Sequence, residues 1–184
     1  MRGWIAEENR HGDLLNTYLR LTGRVDMRAV EVTTQHLIAR GFNPRAGLDP
    51  YAGLIYTSFQ ERATTISHAN VGRLVAQAGD PTLAAICKRV ASDEGRHEKF
   101  YTRIMRGVFD RDPEGAILML RTMMKRTIAM PAKNMFDGET PDLYDRYATA
   151  AQRLGVYTIL DYANIVGYLV RTWDVAGRSV TGHA

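Results

Sequence analysis

Apolar residues recur along this chain at intervals of three and four, and nowhere do they alternate for long with polar ones. Trp4, Ile5, Leu14, Leu15, Tyr18 and Leu19 keep helical spacing, the pattern of an amphipathic helix with one face turned to a core. Gly23 suits its end, because glycine enters left-handed backbone without steric cost. Asp26 is placed to accept from the free N–H groups of a second helix, which runs through Ile38 and stops at Gly41. Phe42 to Asp49 contains Pro44 and Gly47, precedes Pro50, and reads as a loop.

From Pro50 to about Ala78 no proline interrupts the helical pattern, and Gly79 can close it. Asp80-Pro81 then supplies an N-cap and a first-turn proline for a helix that reaches about Phe109. So short a link forces these two long helices antiparallel, as a hairpin. Asp112-Pro113 repeats the same start for a helix to about Arg126, and Met130 to Pro141 is a turn-rich link containing Asp137-Gly138. Two further helices are expected over Asp142–Leu154 and Val156–Trp173, followed by a polar, Gly-rich tail that should be loose. The expected class is all-α, with one domain over 1–173 and a tail over 174–184.

Composition narrows the setting. At 184 residues and 45% hydrophobic content the chain can bury a real core. No apolar run approaches the roughly 20 residues needed to span a bilayer. Polar residues follow soon after Met1, so no secretory leader is expected. The single cysteine, Cys87, excludes an internal disulfide and fits a reducing compartment, so a soluble cytoplasmic protein is the expectation. A net charge of +4 is compatible with an acidic partner, whereas the dispersed basic residues argue against nucleic acid.

The candidate chemistry lies in a pattern that occurs twice. Glu7-Glu8-Asn9-Arg10-His11 and Asp93-Glu94-Gly95-Arg96-His97 both read acidic-Glu-x-Arg-His. On a helix, a Glu and a His three residues apart share one face. Di-iron carboxylate bundles take a Glu-x-x-His from each of two helices and a single Glu from the others. Carboxylates offset the charge of the irons and bridge them, and neutral imidazoles fill terminal positions. Glu61 is the natural single carboxylate. It lies nineteen positions before the turn at Asp80, with Glu94 and His97 fourteen and seventeen after it. At helical rise these depths differ by only roughly 3–8 Å.

The candidate metal ligands are therefore Glu8, His11, Glu61, Glu94 and His97, for a centre of two iron ions. Arg10 and Arg96 are placed either to bond the acids and steady them or to make ordinary surface pairs. His36 lacks an acid at matching spacing and His68 lies two turns beyond Glu61, so both are expected outside the donor set. Cys87 reads as a small buried hydrophobe, and Met123, Met124, Met130 and Met135 as core.

Several longer stretches carry a family resemblance. They are Trp4 to Asp13, Gly23-Arg24-Val25-Asp26-Met27 and Ile55 to Thr64, then Asp93-Glu94 with Arg96-His97-Glu98, Met130-Pro131-Ala132 and Ala151 to Tyr157. Together they resemble the soluble acyl-acyl-carrier-protein desaturases, the stearoyl-ACP desaturase family, over nearly the whole chain to about Trp173. The resemblance implies a ferritin-like di-iron bundle and a homodimeric enzyme of the cytosol or plastid stroma. That enzyme would use O2 and two electrons, typically from ferredoxin, to place a cis double bond in a saturated chain on acyl carrier protein. It implies that Glu8 and Glu94 bridge two irons, that His11 and His97 are terminal ligands, one per iron, and that Glu61 is a terminal carboxylate. Thr64 matches a position where a hydroxyl helps deliver a proton, the alternative being a threonine bonded back to its own helix. Trp4 matches a tryptophan near the site, linked either to electron transfer or to simple packing.

The chain also departs from that family. The resemblance implies a sixth ligand, a Glu on a helix preceding the first Glu-x-x-His helix, yet here that motif begins at Glu8. The expectation is a chain truncated at both ends, lacking the first bundle helices and the usual carboxy-terminal segment. As a free-standing 184-residue chain it is expected to bind iron weakly and not to desaturate. Lys133 stands where the family usually has His after Met-Pro-Ala. A ferroxidase-type iron protein and a non-catalytic remnant serving as an interaction module are the alternative functions.

Overall fold

Proline after aspartate sets the frame of the molecule. The computed structural model describes residues 2–43, 47 and 49–178. Among these residues it contains α1 (Arg2–Thr22), α2 (Met27–Arg40), α3 (Pro50–Gln77), α4 (Pro81–Arg111), α5 (Pro113–Met124), α6 (Leu143–Leu154) and α7 (Ile159–Thr172). Short 3-10 turns cover Pro131–Asn134 and Val175–Gly177, and no strand occurs among the described residues. The architecture is the all-α, ferritin-like bundle that the sequence implies.

Each of α3, α4 and α5 starts with proline in its first turn, where the missing N–H is no loss. The preceding aspartates cap the free amides. Asp49 accepts from the Tyr51 and Ala52 N–H groups, Asp80 from Leu83, and Asp112 from Gly115. Asp26 caps α2 in the same way, through the N–H groups of Arg28 and Ala29. Helix α7 begins at Ile159 rather than Val156. Gly155 turns the chain in left-handed backbone, and Thr158 and Asp161 form a reciprocal capping box.

The α3–α4 hairpin runs antiparallel along its length and carries the core. Near its turn Gly72 lets the helices close, since a Cβ there would lie 3.2 Å from the Cys87 Cβ. Farther along, Ile55 and Phe59 of α3 pack with Met105 and Phe109 of α4, Ile165 of α7, and Trp173, all fully buried. Ala116 and Leu120 of α5 close the end of this cluster. Trp173 stacks on Phe109 at 5.3 Å between ring centroids and donates its indole N–H to the Thr102 carbonyl at 3.1 Å. Arg62 joins three helices. Its guanidinium donates to the buried Glu98 at 3.0 Å and lies 3.6 Å from the centroid of the Tyr168 ring.

Helix α1 packs on α4. At its far end the Tyr18 hydroxyl donates to Asp80, as does Arg24 at 2.7 Å, so α1 is pinned to the turn of the hairpin. Helices α2 and α6 bury no residue and both meet the 3-10 turn at Pro131–Asn134. Arg178 donates to the carbonyls of Trp173 (2.7 Å) and Phe109 (2.6 Å) and to Asp110 (2.7 Å). The remainder of the tail, 179–184, lies outside the described residues. No helix among the described residues is long and apolar enough to cross a membrane.

Trp173 should be the costliest single truncation in the core. Replacing a large buried aromatic with alanine removes about 3–5 kcal/mol. Trp173→Ala is expected to lower the urea midpoint accordingly, and Trp173→Phe, which keeps the stack on Phe109, to lower it by much less.

Candidate metal centre

The two copies of the repeated motif meet across the α1–α4 contact, with Glu61 of α3 beneath them. One oxygen each from Glu8, Glu61 and Glu94 and one ring nitrogen of His97 lie within 4.8 Å of one another. The Nδ1 of His97 is 3.1 Å from Glu8 Oε1, 3.3 Å from Glu61 Oε2 and 3.6 Å from Glu94 Oε2. The Nδ1 of His11 is 3.3 Å from Glu94 Oε1 and 3.9 Å from Glu8 Oε2. Glu8 and Glu94 thus each turn one oxygen toward His97 and the other toward His11.

The opposite nitrogens are bound crosswise. His97 Nε2 meets Glu7 Oε2 at 2.8 Å, so the acid of the first motif holds the imidazole of the second. His11 Nε2 meets Asp93 Oδ2 at 3.3 Å, which is the reverse exchange. Arg96 links the two acids, reaching Asp93 at 2.8 Å and Glu7 at 3.1 Å, while Arg10 and Arg89 approach Glu7 and Asp93 at 3.4 and 3.5 Å. A carboxylate that accepts from Nε2–H fixes the tautomer and leaves Nδ1 as the unprotonated donor.

Electrostatics follow from this crowding. The hydrogen bond from His97 and the nearby Arg96 hold the Glu7 carboxyl below its usual range. Burial pushes Asp93 upward, but its bonds to His11 and Arg96 outweigh that and lower it. Inside the cluster the direction reverses. Burial and the neighbouring Glu94 raise Glu8, and the same two causes push Glu61 up to about 9. Packed carboxylates resist sharing negative charge unless a cation joins them.

These residues fit a metal centre on a further observation. Glu8 Oε1, His11 Nδ1 and His97 Nδ1 are buried without any hydrogen-bond partner, although each lies close to other donor atoms of the cluster. Buried polar atoms are ordinarily satisfied, so unsatisfied donors beside these carboxylates suit cations, although His11 falls outside the group of four that lie within 4.8 Å of one another.

Of the other sequence candidates, Thr64, Trp4 and His68 border this cluster and His36 lies apart from it on α2. Thr64 gives its hydroxyl to the Gln60 and Glu61 carbonyls at 3.1 and 3.0 Å, one turn back on its own helix. Trp4 donates its indole N–H to Glu61 Oε1 at 3.0 Å. Burial lowers the pKa of His68, with Glu94 pulling the other way, and His68 contributes no atom to the donor group. His36 packs edge-on against Phe136 at 4.9 Å. The crossed partnership of Glu7 and Asp93 was not assigned from the sequence. Its signal was the acid that precedes Glu in both motifs, but which histidine each acid serves depends on the packing of α1 against α4. Tyr101, ring to ring with Trp4 at 5.9 Å, carried no signal in the sequence.

A model of the fatty acid desaturase family matches residues 1–184. The chain is 57% identical over 175 residues to stearoyl-[acyl-carrier-protein] 9-desaturase 3, chloroplastic, of Arabidopsis thaliana, covering 95% of this chain and 44% of that protein. It is 55% identical over 185 residues to the chloroplastic 9-desaturase 2 of Oryza sativa subsp. japonica, covering 99% and 47%. It is 54% identical over 174 residues to the chloroplastic enzyme of Olea europaea, covering 95% and 45%. The chain therefore spans about half the length of the curated relatives it matches.

Stability of the metal-stripped chain should depend on pH through Glu61. The unfolded group titrates near 4.5 and the folded one holds its proton to about 9. Between those values the folded state binds the extra proton, so stability falls as pH rises through that window. Urea midpoints measured after chelation should decline from pH 5 to pH 9. Glu61→Gln should flatten most of that slope, and added Fe(II) should oppose it.

Proposed function

This chain belongs to the fatty acid desaturase family, and on that premise we propose that it carries the di-iron site of an acyl-ACP desaturase. The observation that supports this most directly is the two-sided presentation of Glu8 and Glu94, each with one oxygen toward His11 and one toward His97. In this reading Glu8, Glu94 and Glu61 would supply the carboxylates, and His11 and His97 the imidazoles, that hold two iron ions, with Glu8 and Glu94 facing both histidines and Glu61 facing His97. Bound iron would supply the activation of O2 that an unactivated methylene demands.

The remaining work falls to the protein. Glu7 and Asp93 keep the two Nδ1 atoms free of protons, which leaves each imidazole ready to hold a metal. Over the whole reaction two hydrogens leave adjacent methylenes. Together with two electrons and two protons from outside they reduce one O2 to two waters. Thr64, one turn beyond Glu61, is a candidate to deliver a proton once its hydroxyl turns from the helix carbonyls. The substrate carrier is an acyl carrier protein, acidic and suited to a chain of net charge +4, and the electron source is a ferredoxin-type protein. The working form is a homodimer in the cytoplasm, or in the plastid stroma as the chloroplastic relatives suggest.

A hybrid tests this directly. This chain would replace the matching stretch of the Arabidopsis desaturase, and the product would be supplied with Fe(II), reduced ferredoxin, O2 and stearoyl-ACP. The hybrid should hold two irons and form a mono-unsaturated product detectable by mass spectrometry. Glu94→Ala in the inserted stretch should abolish turnover by at least about 100-fold. A folded, iron-loaded hybrid that binds acyl carrier protein but forms no double bond would instead favour a non-catalytic role.

A further inference from the structure

The cleft between the end of α2 and the segment after α5 is set apart by its charge. It has a volume of about 730 Å³, its lining includes Arg40, Phe42, Arg126, Thr127 and Lys133, and no acidic residue lines it. The clefts beside α1 and along α6 are balanced. Arg10 and Arg24 stand with Asp13 and Asp80 in one, and Arg146 and Arg153 with Asp142 and Asp145 in the other. None of Arg40, Arg126 and Lys133 enters an ion pair among the described residues.

One of the three is already held in place. The Arg40 guanidinium lies 4.3 Å from the centroid of the Phe136 ring and reaches the Asn134 carbonyl at 3.5 Å. The Asn134 amide donates in turn to the Gly41 carbonyl at 2.9 Å, which ties the end of α2 to the 3-10 turn carrying Lys133. A cation at a helix C-terminus offsets the helix dipole whatever else it does. That accounts for Arg40 in the last turn of α2 and for Arg126 just after α5, each taken singly. It leaves unexplained why Lys133 faces the same cleft with no acid opposite.

Three cations around one opening repel one another until an anion joins them, and guanidinium forks match the oxygens of phosphate. We propose that this cleft binds a phosphate group, with Arg40, Arg126 and Lys133 as its charge partners. The exposed Phe42 ring, backed by Tyr56 at 5.8 Å, gives the organic part of a phosphorylated molecule an apolar surface. No residue of this cleft belongs to the metal centre, so the proposal stands apart from that reading. Two sources carry such a group, a free phosphorylated molecule and a phosphate-linked arm on a protein.

Isothermal titration calorimetry of the full chain separates them. Inorganic pyrophosphate and coenzyme A probe the free source. Acyl carrier protein with and without its phosphate-linked arm probes the other. At least one probe should bind saturably, one per chain. Arg126→Gln and Lys133→Gln should each weaken that binding about 5–20-fold, and Lys133→Arg, which keeps the charge, should retain it. Arg73→Gln and Lys88→Gln are the controls, both exposed and near the turn of the hairpin. Arg73 lies seventeen positions beyond Tyr56 on α3, roughly 25 Å at helical rise. An exposed charge that far away is screened, so the controls should change binding by less than about 2-fold. Losses with pyrophosphate or coenzyme A would assign a free ligand, and losses confined to the armed carrier protein a protein-borne one. Absence of saturable binding to every probe would overturn the proposal, as would controls that weaken binding as much as the cleft variants. So would Arg126→Gln and Lys133→Gln that lower the urea midpoint yet bind every probe as the parent does, the result of a helix-end role alone.

Discussion

Everything at the centre of this molecule depends on an exchange of partners between α1 and α4. The acid at the head of each motif holds the histidine at the end of the other, Glu7 with His97 and Asp93 with His11. Glu8 and Glu94 lie between the two rings and Glu61 beside His97, and when ionised these carboxylates would repel one another and drive the helices apart. The crossed bonds counter that on the outer side, where Arg96 ties both acids together. The inner side is left with two unsatisfied nitrogens and the Glu8 Oε1 oxygen, which suit cations. Because each bond joins the two helices, the site also fastens α1 to α4.

The hairpin supplies what the exchange needs, a fixed depth for Glu61 against Glu94 and His97. Close approach at Gly72 and Cys87 sets the spacing near the turn, and the Phe59–Phe109–Trp173 core fixes it at the other end. Between them the Arg62–Glu98 pair joins the residues that immediately follow Glu61 and His97. A slip of one residue between the helices would break that pair and move a ligand by about 1.5 Å. With both partners largely withdrawn from water, separating them would strand a charge, which is why a pair so placed resists slippage.

Much of this was legible in the residue order. The Asp-Pro starts, the Gly stops and the absence of strand alternation sufficed for the seven helices, because caps and first-turn prolines act through atoms a few residues apart. The main displacement is the start of α7, where the Thr158–Asp161 box outcompeted an earlier beginning at Val156. The motif pairs at Glu8/His11 and Glu94/His97 were visible because a ligand pair on one helix is a local pattern. Glu61 is legible because helical rise along a tight hairpin places it level with Glu94 and His97.

The sequence by itself determined which residue types could serve a metal and at what depth along each helix, since helical rise is nearly invariant. Only the tertiary structure decided how they are shared. It determined that each acid serves the histidine of the other helix, that Glu8 and Glu94 face both rings, and that Trp4 engages one oxygen of Glu61. Those outcomes depend on the rotation of α1 about its own axis against the α3–α4 hairpin. That rotation is set by many side chains packing at once, and no short-range pattern encodes it.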